Sequence, residues 1–203
     1  MVNEFPFARL IKGAVISDVY FNFVNESQSG VVETKSGLGH NYDITIELTR
    51  MSLQESKEFM GWLSSLRGRL NAFNLTIPDI SYTTSSYTGS ITVKGAGQAG
   101  NQIAVDGLPV STRRILKRGD YVKFETSSKK VYRLVEDLDS DGAGEGILYL
   151  NSIMLLSTPN DNERVVYNNV DFRLRLVSDQ QSFGLDVIKR GDFVLNMREA
   201  YNL

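Results

Sequence analysis

Two neighbouring stretches of the sequence contain residue types that carry out chemistry in other proteins. The first, VYRLVEDLDSDGAGEGILYL, places Asp137, Asp139, Asp141 and Gly142 at the spacing that opens an EF-hand calcium loop. The pattern then breaks, because Leu148 occupies the twelfth position, where a bidentate glutamate is required. The flanking residues are also strand formers, whereas an EF-hand needs helices. We therefore predict a hairpin turn with solvated carboxylates and no metal site.

The second stretch, STRRILKRGDYVKF, interleaves cationic residues with aromatic residues. Cations bind phosphates and aromatic rings stack on bases or sugars, so this composition suits a groove for a glycan or a single-stranded nucleic acid. The acidic run at 136–141 would offset much of the positive potential in the same small domain. We expect a folding role and protein contact first, glycan binding second and nucleic acid third. The candidate contact residues are Arg113, Arg114, Lys117, Arg118, Tyr121 and Lys123.

Composition excludes several classes of function. The 203 residues include 22 Lys and Arg against 24 Asp and Glu, which argues against a protein that mainly neutralises phosphates. The chain has no cysteine, so disulfides, thiolate metal sites and a cysteine nucleophile are excluded. The single histidine, His40, lies in SGLGHNYD, where we expect a polar loop residue without a catalytic partner. We do not expect a secretory signal at MVNEFPFARL, where Glu4 comes early and no apolar region follows. No apolar run approaches the roughly 18 residues of a membrane-spanning helix.

Strand patterns dominate the rest of the sequence. Tyr42, Ile44, Ile46 and Leu48 alternate with polar residues, and so do the apolar residues of the segment 172–176. Each pattern predicts a strand with one buried face and one wet face. Further strands are predicted at 14–24, 72–77, 90–94, 120–124, 131–135, 146–150 and 193–195.

One helix is predicted in SLQESKEFMGWLSSLRG. Ser52 can cap its N-terminus, and Glu55 three positions later completes a capping box. Gly68 is the predicted left-handed C-terminal cap. An apolar stripe at helical spacing predicts four core anchors, which are Phe59, Trp62, Leu63 and Leu66.

Two polar, turn-prone segments, at 78–90 and 157–164, mark a shift in composition. Several short strands separated by glycine-containing turns lie between them. The simplest organisation is a small all-β domain, residues 85–164, inserted into a domain formed by residues 1–84 and 165–203. Each part exceeds the size of about 70 residues at which a core becomes self-sufficient.

Two segments resemble the distal tail and minor tail proteins of long-tailed bacteriophages. FMGWLSSLRGRLNAFNL is similar to a signature in which a short helix with an aromatic residue precedes L-R-G and an aromatic-containing strand. LKRGDYVKF, followed by the carboxylate-rich stretch, resembles the L-x-x-G-D-Y strand pair and hairpin of the inserted domains in these proteins. Chain length and insertion pattern also resemble the compact distal tail proteins of siphophages.

The resemblance implies a mainly β (α+β) fold, with a split β-sandwich or barrel, one flanking helix and an inserted small barrel like the oligonucleotide/oligosaccharide-binding (OB) fold. It implies a structural virion protein at the tail tip, made in the host cytoplasm, without catalytic residues, cofactor or metal. The implied partners are further copies in a homo-oligomeric ring, expected to be a hexamer, the tail tube protein, the tail hub and tip proteins, and a host surface glycan. Sequence-specific nucleic-acid recognition and membrane insertion are not expected.

Two other functions are set against this structural role. The first alternative is a carbohydrate- or oligonucleotide-binding module that acts through the inserted barrel. The second is a glycan hydrolase with a carboxylate pair. Glu136 and Asp137 are sequence neighbours that would face opposite sides of a strand, so they are a poor acid/base pair.

Overall fold

A computed structural model describes residues 3–127, 129–154, 157–180 and 191–200 of the chain. Within these residues the protein is mainly β, as the alternating patterns predicted, with one α-helix. Residues 181–190 and 201–203 of the predicted split domain lie outside the described residues. The elements are β1 (Asn3–Glu4), β2 (Ile11–Tyr20), β3 (Phe23–Glu26), β4 (Val32–Lys35), β5 (His40–Met51), α1 (Leu53–Leu66), β6 (Phe73–Leu75), β7 (Thr92–Val93), β8 (Gly100–Asp106), β9 (Tyr121–Phe124), β10 (Val131–Arg133), β11 (Gly146–Met154), β12 (Val165–Val166), β13 (Phe172–Leu176) and β14 (Gly191–Glu199); a short 3₁₀ helix covers Ala8–Leu10.

A six-stranded sheet in the order β1-β6-β13-β14-β5-β2 carries the first core. Its strands are antiparallel except for the pair β1 and β6. The alternation predicted for β5 is confirmed, because Tyr42, Ile44, Ile46 and Leu48 are all buried. The buried residues of α1 belong to the same apolar cluster, and Phe59 contacts Phe193 of β14 with ring centroids 4.6 Å apart. The first core is therefore a sheet face covered by the helix.

The predicted capping box of α1 is confirmed. The Ser52 hydroxyl accepts a hydrogen bond from the Glu55 N–H, and Glu55 accepts one from the Ser52 N–H at 3.0 Å. The C-terminal prediction needs correction, because Arg67 is the left-handed cap at φ 53° and Gly68 follows it, also at positive φ. A Cβ at Gly68 would lie 2.9 Å from the Asp179 Cα. Gly68 is thus required by its conformation and by the close approach of Asp179.

Two three-stranded sheets, β10-β9-β12 and β11-β8-β7, enclose a second core. Every strand of the two sheets contributes to it, from Ile103 and Val105 on β8 to Phe124 on β9. The glycine-rich segment GAGQAG connects β7 with its antiparallel partner β8, as predicted for a turn between strands. The second core also includes Val165 and Tyr167, which lie beyond the predicted boundary at residue 164. The OB-like assignment of this region stays a prediction.

The hairpin predicted around Gly142 is confirmed only in part. Leu134 and Leu150 form one antiparallel bridge, and the Val135 N–H donates to the Tyr149 carbonyl at 2.9 Å. The main partners differ from the prediction, because β10 pairs with β9 and β11 pairs with β8. Between the arms, the backbone pairs with the preceding basic loop: the Ile115 N–H donates to the Leu138 carbonyl at 2.8 Å, and the Ser140 N–H donates to the Thr112 carbonyl at 2.9 Å. The basic stretch and the carboxylate-rich stretch are therefore hydrogen-bonded to each other.

The strand predicted at 14–24 is confirmed from 14 to 20 within β2 and is wrong beyond Tyr20, where the chain leaves the six-stranded sheet. β3 and β4 then form a separate two-stranded sheet. Apolar and aromatic strand formers continue across the break, from Val19 to Phe21 and again at Phe23 and Val24, so composition alone did not show where one sheet ends. The sequence patterns did not predict the strands β1, β4, β8 and β12.

The sheet β10-β9-β12 lies between the two cores. Val122 and Phe124 of β9 belong to the second core, while Tyr121 packs against the first. On β10, Val131 belongs to the first core and Tyr132 to the second. The register pairs Tyr132 with Val122, so residues that share a face meet the same core. Each face of this small sheet thus serves a different core.

Candidate interaction surface

The hairpin formed by β3 and β4 is exposed on both faces. All residues of its two strands are exposed, and Phe23 has 70% of its surface accessible. The register pairs Phe23 with Lys35 and Glu26 with Val32. Phe23 therefore lies on one face of the hairpin, and Val24 and Val32 lie on the other. Each face presents apolar surface to the solvent.

The residues that flank the hairpin extend this apolar surface. Tyr20, Phe21, Val31 and Leu38 are all exposed. An isolated two-stranded hairpin is marginally stable in water, and large exposed apolar patches mark sites of contact with other molecules. We call residues 20–38 the hairpin arm. Its sequence signal was available as two β-rich runs, FNFVNE and VVETK, separated by the turn-forming SQSG.

The hairpin arm continues from a strand edge. β2 is the outermost strand of the six-stranded sheet, and its only partner among the described strands is β5. β2 spans ten residues, whereas β1 at the opposite edge spans two. A long edge strand presents unpaired N–H and C=O groups that a strand of another chain can pair with. The edge and the arm together form one surface suited to protein contact.

The basic loop, residues 111–119, is hydrogen-bonded to the carboxylates beside it. The Arg114 guanidinium donates to the Asp137 carboxylate at 2.8 Å, and the Arg114 N–H donates to Asp139 at 2.7 Å. The Arg118 N–H donates to Asp137 at 2.8 Å. The hydrogen bonds from the Arg118 N–H and the Arg114 side chain lower the pKa of Asp137. These carboxylates are bound by the loop, which corrects the expectation that they are simply solvated.

The six candidate contact residues do not share one surface. Arg113 is exposed, and the Lys117 ammonium donates to the Thr84 carbonyl at 3.1 Å. Tyr121 and Lys123 instead lie on the face of β9 that meets the first core, where Lys123 pairs with Asp171. The Tyr121 ring packs edge-on against Phe172 at 5.3 Å. Contact with a partner or a glycan stays a prediction for these residues.

Three of the four predicted core anchors on α1, Phe59, Leu63 and Leu66, are buried. Trp62 is half-buried, and its ring contacts Phe5 at 5.1 Å and Phe73 at 5.0 Å between centroids. Trp62 therefore closes the rim of the first core.

A cluster of buried and half-buried polar side chains joins the two cores. It corrects the prediction for His40, which is not a loop residue but the first residue of β5, with only 2% of its surface exposed. The charged residues come from elements of both cores, because β2, β5 and β14 belong to the six-stranded sheet and β10 and β11 to the smaller sheets. We call this set the junction cluster; its members are Asp18, His40, Lys130, Arg133, Asn151 and Glu199.

Lys130 is the centre of the junction cluster. Its ammonium donates to the Glu199 carboxylate at 2.9 Å, to the His40 carbonyl at 2.9 Å and to the His40 Nδ1 at 3.2 Å. The other oxygen of Glu199 accepts from the Val131 N–H at 2.8 Å. Burial raises the pKa of Glu199 and lowers the pKa of Lys130. The carboxylate and the ammonium thus compensate each other in a site with little water.

The contacts of His40 define its tautomer. Nδ1 faces the Lys130 ammonium and must accept, so the proton lies on Nε2, which donates to Asp18 at 3.1 Å. The second Asp18 oxygen accepts from Arg133 at 2.5 Å. Asn151 accepts from the Arg133 N–H at 3.0 Å and donates to the Tyr42 hydroxyl at 2.9 Å. Both ring nitrogens are therefore engaged, and the arrangement is a structural connection with no ring nitrogen left for a substrate.

The sequence reading missed the junction cluster because its members lie far apart in the chain. Asp18 and Arg133 are separated by 115 positions, and Lys130 and Glu199 by 69. A single buried histidine with no local partner gave no signal. A cavity of about 240 Å³ lies beside the cluster and is lined by Tyr20, Leu38, His40, Asn101 and Asn151, among others.

The described residues contain no group of three or more His, Asp or Glu side chains placed to hold a metal ion. Within the same residues, no helix has the length and apolar composition needed to cross a membrane. Comparison with protein-family models and with curated proteins gives no match for the chain. Three features of the structure bear on function: the hairpin arm, the β2 edge and the junction cluster.

Proposed function

We propose that the chain is a structural subunit of a long, non-contractile phage tail. Copies of it form a ring at the distal end of the tail, join the tail tube to the tail tip and take part in host attachment. The observation that carries this proposal is the hairpin arm, an exposed apolar projection that continues from the edge strand β2. The resemblance of FMGWLSSLRGRLNAFNL and LKRGDYVKF to distal tail proteins supplies the tail assignment.

The physical argument for self-assembly rests on what the arm lacks in a single copy. Burying one valine, leucine or phenylalanine side chain stabilises a contact by about 1.5–3 kcal/mol. A single copy does not gain this free energy from three side chains that remain exposed, Phe23, Val24 and Val32. In a ring, one surface of each subunit meets a different surface of the next, so a projecting arm on one copy and a strand edge on its neighbour are compatible partners.

Self-assembly is tested with a double variant of the arm. Phe23→Ser together with Val32→Ser removes apolar surface from both faces of the hairpin, and both side chains are exposed in the single chain. We expect the wild type to form rings in negative-stain images and by sedimentation velocity at high concentration. The double variant should need at least about tenfold more protein to assemble, since 1.4 kcal/mol corresponds to a factor of ten. Val110→Ser is the matched control, because Val110 is exposed and lies directly before the basic stretch, away from the arm in sequence. This variant should assemble like the wild type.

The tail assignment is tested separately by mixing the chain with a siphophage tail tube protein and tail hub protein. Rings that bind neither protein would keep the self-assembly proposal and remove the tail assignment. A chain that stays monomeric both alone and in these mixtures would contradict both proposals. Binding of the monomer to a glycan array would favour the carbohydrate-binding alternative.

A further inference from the structure

The ion pairs of the junction cluster that involve Lys130 and Arg133 cross between elements of the two cores. Lys130 precedes β10 and binds Glu199 of β14 and His40 of β5, and Arg133 of β10 binds Asp18 of β2. The sheet β10-β9-β12 also joins the two cores, because Val131 and Tyr121 pack on the first core and Val122 and Tyr132 on the second. The polar contacts of the junction cluster are added to this apolar connection, so they can weaken while the apolar residues of each core stay packed.

We propose that the junction cluster is an acid-sensitive connection, in which protonation of His40 separates Lys130 from the six-stranded sheet and loosens the contact between the two cores. This inference does not depend on the proposed function. It assigns a regulatory role to residues that the ring assignment does not use.

The geometry at Nδ1 carries the inference. In the neutral imidazole, Nδ1 accepts a hydrogen bond from the Lys130 ammonium at 3.2 Å. Protonation places a second N–H on the ring, directed at that ammonium, so an attractive contact becomes a contact between two donors and two positive charges. The ammonium must then move away, and its hydrogen bond to the His40 carbonyl is strained at the same time.

The charges around His40 are balanced only while the ring is neutral. Asp18 of β2 and Glu199 of β14 are acidic, and Lys130 and Arg133 are basic, so protonation leaves one uncompensated positive charge. Three tyrosine rings also face the cluster, Tyr20 and Tyr42 at the imidazole ring and Tyr121 on β9. Burial and the nearby Lys130 lower the pKa of His40, while Asp18 acts in the opposite direction.

The direction of the pH effect follows from linkage. Because the pKa of His40 is lower in the folded chain than its ordinary value of 6.5, the unfolded chain binds more protons as the pH falls. The stability is therefore complete above pH 6.5 and is lost as the pH falls from 6.5 through the folded pKa. Among the chain's ionisable side chains, histidine alone has an ordinary pKa in this window.

The first measurement is an NMR titration of the wild type. His40 is the only histidine in the sequence, so its ring signal is unambiguous. The proposal expects a folded-state pKa below 6.5. A value at or above 6.5 overturns it, because protonation would then not oppose the folded arrangement.

The second measurement is amide hydrogen exchange at pH 7.5 and pH 5, corrected for intrinsic exchange rates. The Val131 and Arg133 N–H groups report on the junction, since they donate to Glu199 and Asn151. Ile44 and Val105 report on the first and second cores. We expect the protection of the two junction amides to fall at least about tenfold more than that of the core amides, the scale of a single 1.4 kcal/mol change. Equal changes at all four positions would overturn the proposal.

The variant His40→Gln distinguishes a pH effect caused by His40 from one caused by Glu199. Glu199 is the alternative source, because its pKa is raised. The Gln side chain cannot gain a proton in this pH range, so the selective loss of protection should disappear in the variant. A loss that persists in the variant belongs to Glu199 and overturns the assignment to His40. If the variant does not fold, the wild-type titration and exchange data decide the proposal by the outcomes given above.

Discussion

Phe23 and Lys130 lie in environments opposite to those that their side chains favour in water. Phe23, on the hairpin arm, is 70% exposed, whereas Lys130, in the junction cluster, is 5% exposed. Apolar side chains are usually inside and charged side chains are rarely buried unless they are paired. Both side chains depart from this usual distribution between interior and surface. Only the buried charge of Lys130 is compensated by contacts within the chain.

Lys130 is compensated by Glu199 and by two acceptors of His40, so its burial is consistent with a stable monomer. The exposed apolar side chains of the arm gain no such compensation in a single copy. The comparison teaches that the buried charges of the junction cluster are paired within one chain, while the proposed role of the arm is in assembly. Substitutions in the two regions should therefore change different measured quantities.

The largest expected effect compares two phenylalanines. Phe59→Ala should lower the free energy of unfolding by about 3–5 kcal/mol, because Phe59 is fully buried in the first core. Phe23→Ala should change it by no more than about 0.5 kcal/mol, because Phe23 is exposed. Urea unfolding at a concentration below assembly measures both. Equal losses of unfolding free energy in the two variants would contradict the expected difference between the buried Phe59 and the exposed Phe23.

Breaking the buried ion pair should have the next largest effect. Glu199→Ala should lower the free energy of unfolding by about 3 kcal/mol, the low end of the range for removing one partner of a buried pair. The low end applies because the ammonium of Lys130 keeps its acceptors on His40. The double variant Lys130→Met with Glu199→Leu is the control and should recover most of the loss in urea unfolding. A double variant as unstable as Glu199→Ala would show that the loss comes from altered packing and not from the unpaired charge.

The smallest effect is expected for calcium at the carboxylate loop. The Asp141 carboxylate already accepts from the Ala143 N–H at 2.8 Å and the Glu145 N–H at 2.9 Å. Asp137 and Asp139 are bound by the basic loop, so a cation would have to break existing hydrogen bonds. We expect calorimetric titration to detect no calcium binding tighter than about 10⁻⁴ M, the weak end of functional calcium modules. Tighter binding, or a melting temperature that rises by several degrees over that measured with a chelator, would show a metal site.

Local patterns predicted the elements whose determinants lie within a few residues. The buried face of β5 followed from its period-two alternation, and the capping box of α1 followed from Ser52 and Glu55 three positions apart. The strand predicted at 14–24 was confirmed only as far as Tyr20, where the chain leaves the six-stranded sheet. Alternation reports which face of a strand is apolar, but it does not report the sheet to which the strand belongs.

The sequence by itself determined that the chain is mainly β, that one capped helix covers part of its core, and that no cysteine chemistry is available. Only the tertiary structure decided that His40 is buried beside Lys130, which is 90 positions away. It also decided that the basic loop is hydrogen-bonded to the acidic loop and that the hairpin arm is exposed. The physical reason is that backbone periodicity and capping act over a few residues, whereas charge pairing and burial depend on which distant strands become neighbours.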